Sequence, residues 1–247
     1  MSQTVERAVA ILERLSDQPS TLGEVADLLG VHKSTALRLL QTLERAGYAR
    51  REPDGRYAVG ARLIGIAFKA LESLDIREIA RPHLSKLNQA YGHTVHLASF
   101  LDGEITYVDK YEGQSSIRMY SRIGKAVAPH ASGVGKAILA HLEPALLDAV
   151  IAHTVFTRYT PQTLASEHEL RAELARVRER GYARDDREFE EFIHCIAAPI
   201  RSGDGAVRTA FSMSVPTVVL SFEELERFVP DLSATADAIS RDLGWPG

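Results

Sequence analysis

Apolar residues recur at three- and four-residue spacing through the first ninety positions, the period of helices that bury one side. Val5, Ala8, Val9, Leu12 and Leu15 give a first helix its apolar face. Thr21 with Glu24 three residues later has the form of a capping box, and Val25, Leu28 and Leu29 supply the helix that it opens. Gly30 is placed to end that helix in the left-handed conformation. The next helix is predicted over 32–46, with Ala36, Leu39, Leu40 and Leu43 as its buried stripe. Lys33, Ser34, Arg38, Gln41 and Arg45 fall mostly outside the stripe, and Gly47 closes it. Tyr48 to Val59 reads as two short strands around the turn Pro53-Asp54-Gly55. A helix follows over 61–74, its apolar side made by Leu63, Ile66, Ala67, Ala70, Leu71 and Leu74. Another helical segment runs to Tyr91, carrying Leu84 and Leu87, with a break expected just before Pro82.

From Gly92 the period changes. Thr94 to Phe100 and Ile105 to Tyr111 read as strands around the turn Leu101-Asp102-Gly103-Glu104, and Ser116 to Ser121 as a third strand. The loop GKAVAPHASG leads into a helix starting near Gly133. Helices are predicted over 144–152 and 166–180, the latter with a Ser166/Glu169 capping box and Leu170, Leu174 and Val177 on one face. Tyr182 to Asp185, Ile193 to Ile200 and Val207 to Val215 read as strands, the last two joined at Ser202-Gly203-Asp204-Gly205. A closing helix opens at a Ser221/Glu224 box and is interrupted at Pro230. Six strands with helices around them make an α+β domain.

Helix, tight turn, helix and hairpin is the order of a winged helix-turn-helix. Its second helix can lie in a major groove with its N-terminal residues at base edges. The predicted DNA contacts are His32, Lys33, Ser34, Thr35, Arg38 and Gln41, with Arg56 from the wing. Arg50 and Arg51 also stand where a phosphate backbone would pass. Six basic residues against three acidic ones lie between Lys33 and Arg56, in a chain of net charge −4. A basic reading element on an acidic body fits a regulator better than a general nucleic-acid coat.

At 247 residues the chain has room for one large or two modest domains. Its single cysteine, Cys195, allows no internal disulfide. The N-terminus carries Glu6 and Glu13 and is no secretory signal, and no run approaches the roughly 18 apolar residues of a membrane span. The cytoplasm is the expected compartment.

Gly133-Val134-Gly135-Lys136 invites a phosphate-loop reading, which fails. His130 stands where the first glycine of that loop belongs, and Ala137 replaces the Ser or Thr after the lysine. A dinucleotide fingerprint would need glycine at Ile138. Two readings stay open: backbone N–H groups at a helix start that hold a carboxylate, or a turn that lets loop and helix pack closely. Ser212 and Ser214 are two apart on a strand and share a face, opposite Phe211, Met213 and Val215. That face suits either a polar ligand or solvent. Cys195 lies in the apolar run CIAAPI with no activating partner, so it reads as a packing or pocket-wall residue. His93 and His96 fall on opposite faces of a strand, a poor metal pair. There is no Gly-x-Ser-x-Gly elbow, and a solvated loop explains the acids from Asp185 to Glu191.

The segments KSTALRLLQTLERAGYARRE and GRYAVGARLIGIA resemble the N-terminal domain of the IclR family of bacterial transcriptional regulators. RPHLSKLNQAYGHTVHLASFLDGEITYVDKYEG, APHASGVGKAILA, GYARDDREFEEFIHCIAAPI and FSMSVP are similar to its later motifs, in the same order. The resemblance implies a winged helix-turn-helix over 1–60, a linker helix over 61–75 and a GAF-like effector-binding domain of mixed α/β type over 76–247. It implies a small organic acid as effector, contacted by Met119, Val127, Gly133, Val134, Asp185, Cys195, Ser212 and Ser214. An acidic Asp185 would repel such a ligand unless it accepts a ligand hydroxyl. The reading is a ligand-responsive repressor of a catabolic operon, binding double-stranded operator DNA as a homodimer or tetramer. No cofactor, metal or catalytic residue is expected. The competing readings are an enzyme with an N-terminal interaction module and an architectural DNA binder without a ligand.

Overall fold

The computed structural model describes residues 3–66, 75–115, 119 and 121–247. The chain divides into two compact units, Met1–Leu74 and Asp75–Gly247.

The first unit is a winged helix-turn-helix. It comprises α1 (Gln3–Asp17), α2 (Leu22–Leu29), α3 (Lys33–Arg45), β1 (Ala49–Arg51) and β2 (Tyr57–Val59). A further helix, α4, begins after the wing, and its residues 61–66 are described. The capping box at α2 is complete. Thr21 Oγ1 accepts from the Glu24 N–H at 3.3 Å, and the Glu24 carboxylate accepts from the Thr21 N–H at 2.7 Å. Gly30 takes the left-handed conformation at φ 60°. The core gathers Ile11, Leu15, Val25, Ala26, Ala36, Leu40 and Leu43. The apolar face expected of α1 holds at Ala8, Leu12 and Leu15, which pack on this core, and is corrected at Val5 and Val9. Its buried stripe is Ile11 with Leu15, one helical turn apart, whereas Val5 and Val9 are 61% and 48% exposed. Leu28 likewise lies outside the core, because Val25 and Ala26 are the α2 positions turned inward.

The wing is tied down more firmly than a two-stranded hairpin. β1 and β2 pair antiparallel, Ala49 opposite Val59. Ser20, just before α2, adds a bridge to Tyr57 through two backbone hydrogen bonds of 2.9 and 2.8 Å. Gly60 follows the hairpin so closely that a Cβ there would stand 2.1 Å from the Gly47 carbonyl oxygen. Backbone therefore packs on backbone where α3 ends and the wing closes.

The second unit is built on one five-stranded antiparallel sheet in the order β4-β3-β7-β6-β5. The strands are β3 (Thr94–Leu101), β4 (Glu104–Tyr111), β5 (Ala183–Asp186), β6 (Ile193–Arg201) and β7 (Val207–Pro216). The expected strand over 116–121 falls largely outside the described residues. The helices are α5 (Ile76–Tyr91), α6 (Gly133–Leu139), α7 (Pro144–His153), α8 (Glu167–Arg180), α9 (Phe222–Glu226) and α10 (Val229–Asp242). Period-2 alternation sorts the strands between two cores. Phe211, Met213 and Val215 of β7 join Val95, Leu97, Ile196 and Ala198 beneath Leu84, Leu87, Leu232 and Ile239 of α5 and α10. Ala98, Ala197 and Ala210 face the other way, toward Val134, Ile138, Leu170 and Leu174 of α6 and α8.

Three local expectations need correction. Pro82 lies inside α5 without breaking it. Ala80, Leu84 and Leu87 on either side of it are at most 5% exposed, and that burial outweighs the missing N–H. At α8, Ser166 Oγ accepts from the Glu169 N–H, but the Glu169 carboxylate turns to the N–H of Ala165 at 2.7 Å, so the box is half formed. Pro230 sits in the first turn of α10, where no N–H partner is needed, and the break comes between α9 and α10.

Candidate functional site

Two groups of polar residues stand apart from ordinary surface. The first is the outward face of α3. Helical spacing turns Ala36, Leu40 and Leu43 into the core, which leaves His32, Lys33, Ser34, Arg38 and Gln41 exposed and Thr35 half-buried. Lys33 to Thr35 form the first turn, and Arg38 and Gln41 follow along the exposed side. His32 is the cap residue, with Ser34 Oγ 3.4 Å from its Nδ1. The Arg45 side chain turns back onto the Gln41 carbonyl at 3.3 Å. In the wing, Arg50 pairs with Glu52 at 2.9 Å, Arg56 lies 3.6 Å from Asp54, and Arg51 sits over the Tyr57 ring. The wing arginines are therefore partly neutralised locally. The cationic side chains of α3 have no ion pair among the described residues.

The second group lies on the sheet face of the other unit that looks toward α6. Strand register brings its members together. Asp185 of β5 is opposite Cys195 of β6, Cys195 is opposite Ser214 of β7, and Ser212 is opposite His96 of β3. With Met119, Val127, Gly133, Val134, Tyr107, Ser121 and Phe189 they line a cleft with a volume of about 50 Å³. All eight residues expected at an effector site line this one cleft. The walls are dry. Asp185 is 4% exposed, Ser212 3% and Ser214 2%. Of the two readings of the serine face, solvent is the one that this burial removes.

Hydrogen bonds set the polar groups. Cys195 Sγ is 3.0 Å from Ser214 Oγ. His96 Nδ1 is 3.3 Å from Ser214 Oγ and its Nε2 is 2.6 Å from Ser121 Oγ. Burial, and secondarily the charge of Lys110, push the His96 imidazole down to about 3, so it is neutral at physiological pH. Burial pushes the Cys195 thiol up, which makes it a poor nucleophile. Asp185 is pushed up to about 7, first by burial and then by the Glu188 carboxylate, against the pull of Lys136. Its Oδ1 accepts from the Glu188 N–H at 2.8 Å. Lys136 is fully buried and its ammonium is engaged with the Glu188 carboxylate.

Both glycines of the pair sit in close contact with neighbouring elements. A Cβ on Gly135 would stand 2.7 Å from the Pro129 carbonyl oxygen, so this glycine serves close packing. Its N–H is taken by Ser132 Oγ at 3.2 Å. Gly133 packs closely too, since a Cβ there would stand 3.2 Å from that of Ala197, and with Val134 it lines the cleft. His93 and His96 do part company: His93 lies outside β3, its ring 6.0 Å from that of Phe228, while His96 enters the cleft. Among the described residues no group of His, Cys, Asp and Glu is arranged to hold a metal ion. No described helix is long and apolar enough to cross a membrane.

Comparison with known proteins decides the family. Residues 68–241 match the family described as bacterial transcriptional regulator IclR, C-terminal, and residues 4–53 match the IclR helix-turn-helix domain. The chain belongs to the IclR family. It is accordingly a DNA-binding transcriptional regulator and not an enzyme. It is 38% identical to the HTH-type transcriptional regulator XynR of Escherichia coli over 99% of this chain and 98% of XynR. It resembles the crystal structure of the Agobacterium tumefaciens repressor BlcR, with 30% identity, a TM-score of 0.78, and 99% and 98% of the two chains covered. An IclR homologue from Microbacterium hydrocarbonoxydans, solved in complex with 4-hydroxybenzoate, matches with 27% identity, a TM-score of 0.62, and 97% and 98% of the two chains covered.

For an IclR protein the sequence left one part of the cleft unread. His96, Tyr107, Ser121 and Phe189 line it and come from strands and loops far apart in the chain. His96 was weighed only as half of a metal pair. Its position across from Ser212 is a register fact, which no local pattern carries.

Proposed function

We infer that this IclR-family regulator is a repressor of a catabolic operon, released by a small organic acid that binds in the cleft of the second unit. Residues 1–60 read the operator, 61–75 link, and 76–247 sense the acid. His32, Lys33, Ser34, Thr35, Arg38 and Gln41 on α3 and Arg56 on the wing contact a roughly two-fold operator, one reading head from each subunit of a homodimer that can pair into a tetramer. The dimer resides in the cytoplasm with its DNA. The acid lies against Met119, Val127, Gly133, Val134, Asp185, Cys195, Ser212 and Ser214.

The observation that carries this reading is the cleft itself. Serine, thiol, imidazole and carboxyl groups, each less than a tenth exposed, converge on space that no protein atom fills. These groups bond to one another and still face unfilled space, and a concave wall with a few convergent polar groups suits a polar occupant. The repressor named among the similar structures and the homologue holding 4-hydroxybenzoate support the same reading by likeness. Thermal unfolding of the purified protein against a panel of sugar, keto and aromatic acids tests it. A binding acid at a hundred times its Kd is expected to add about 2.7 kcal/mol of stability. The same acid should release the protein from an operator fragment, and stabilisation without release would refute the coupling.

A further inference from the structure

The charges around the cleft do not match an anionic guest. The Lys136 ammonium, which pulls on Asp185 from beside the cleft, is fully buried and already paired with Glu188. Lys110 donates to the Met119 and Ser121 carbonyls beside the cleft and pairs with Glu112 at 2.9 Å, so its charge is engaged as well, and Lys125 is exposed at the cleft edge. His96 is a neutral donor and acceptor. Against these stands Asp185, buried on the wall, with the Glu188 carboxylate beside it, Glu190 lining the same cleft, Cys195 across the strand pair and the Tyr107 phenol from β4. A second carboxylate charge beside a buried one raises its affinity for a proton, and at Asp185 burial and Glu188 together outweigh the pull of Lys136.

We propose that Asp185 carries a proton when the cleft is filled, and that an acid effector is bound together with one proton shared between its carboxylate and the Asp185 carboxyl. This rests on the cleft being the effector site. The balance is simple: a ligand carboxylate and an ionised Asp185 together bear two negative charges, and one proton taken from solution leaves a single O–H···O⁻ pair. Hydrogen bonds of that kind are among the strongest that uncharged and charged oxygens make. The unliganded site is already prepared, since burial and Glu188 push Asp185 up to about 7. The geometry also assigns Asp185 a different part from the acceptor of a ligand hydroxyl. A protonated Asp185 donates, and it selects for carboxylate rather than for its amide.

The test uses glycolate, gluconate and 4-hydroxybenzoate, each beside its amide, with affinities measured by calorimetry over roughly pH 6 to 8.5, where all three acids stay ionised. The expected result is an affinity that falls about tenfold per pH unit above the Asp185 midpoint, with uptake of close to one proton per acid bound. Uptake is read by comparing phosphate and Tris buffers. Asp185→Asn keeps a neutral donor at the position and should bind the acid with little pH dependence. Equal affinity across the range in the wild-type protein would overturn the proposal. So would loss of acid binding in a natively folded Asp185→Asn, or a preference for the amides. Carbon-13 titration of the Asp185 carboxyl in the unliganded protein supplies an arm that needs no ligand. A midpoint near 7 supports the proposal, and one in the ordinary carboxylate range overturns it. Absence of binding by every compound would count against the effector reading itself, leaving that titration to judge the proton separately.

Discussion

The outward face of α3 and the wall of the cleft both display polar side chains, but they stand in opposite solvents. Lys33, Ser34, Arg38 and Gln41 project into water from a helix whose other side is core. Asp185, Cys195, Ser212, Ser214 and His96 are withdrawn from water and bound to one another. In the first region side-chain identity and stability are separable, because these exposed residues take no part in the core. In the second they are entangled. Each group that would recognise a ligand also sits in the hydrogen-bond network of the sheet, and changing one changes what its neighbours must do.

The sharpest break is expected at Lys136→Met. It removes the cation from a fully buried pair and leaves Glu188 beside Asp185, so chemical denaturation should show a loss of about 3–5 kcal/mol. The double variant with Glu188→Gln should recover much of it. If the single variant is as stable as the parent, the buried pair does not hold this region together. Next comes the frame of the reading head. Thr21→Ala deletes one half of the α2 capping box and is expected to cost about 1 kcal/mol, seen as a lower unfolding midpoint. Smallest in stability is Arg38→Ala, within about 0.5 kcal/mol of the parent, since the side chain is exposed. Its effect should appear in gel-shift titration instead, as a loss of about 1–3 kcal/mol in operator binding. A large fall in stability for Arg38→Ala would erase the contrast between the two regions.

The same contrast has a pH form. A buried carboxyl whose folded pKa is raised binds more protons folded than unfolded between its two midpoints. Stability therefore declines as pH rises from about 3.8 to about 7 at Asp185 and levels off above. Asp185→Asn should flatten part of that slope in unfolding curves. The remainder belongs to Glu188, which burial raises in the same direction.

How far the chain could be read without coordinates follows from the same division. Local signals carried the first unit: Thr21 with Glu24, Gly30, the stripe from Ala36 to Leu43 and the Pro53-Asp54-Gly55 turn each act within one or two helical turns or a hairpin. What they missed there is Ser20 reaching across to Tyr57, a contact of thirty-odd residues in sequence that no window contains. In the second unit alternation told which strand residues share a face, and so placed Ser212 with Ser214. It could not tell that His96 would stand opposite Ser212, because register is fixed by the whole sheet. Pro82 shows the limit of a strong local rule, overruled by the burial of its neighbours along α5. The burial of Lys136 was also illegible. A lysine after two glycines reads as a phosphate ligand or a solvated charge, and only the fold supplies Glu188 to meet it.

The contact of Gly60 with the Gly47 carbonyl acts as a gauge. It sets the span between the end of α3 and the wing by main-chain contact. The exposed residues of α3 can therefore be exchanged one by one while the distance from helix to wing stays the same. A side chain inserted at Gly60 would do the reverse, keeping those residues and shifting the wing against the helix.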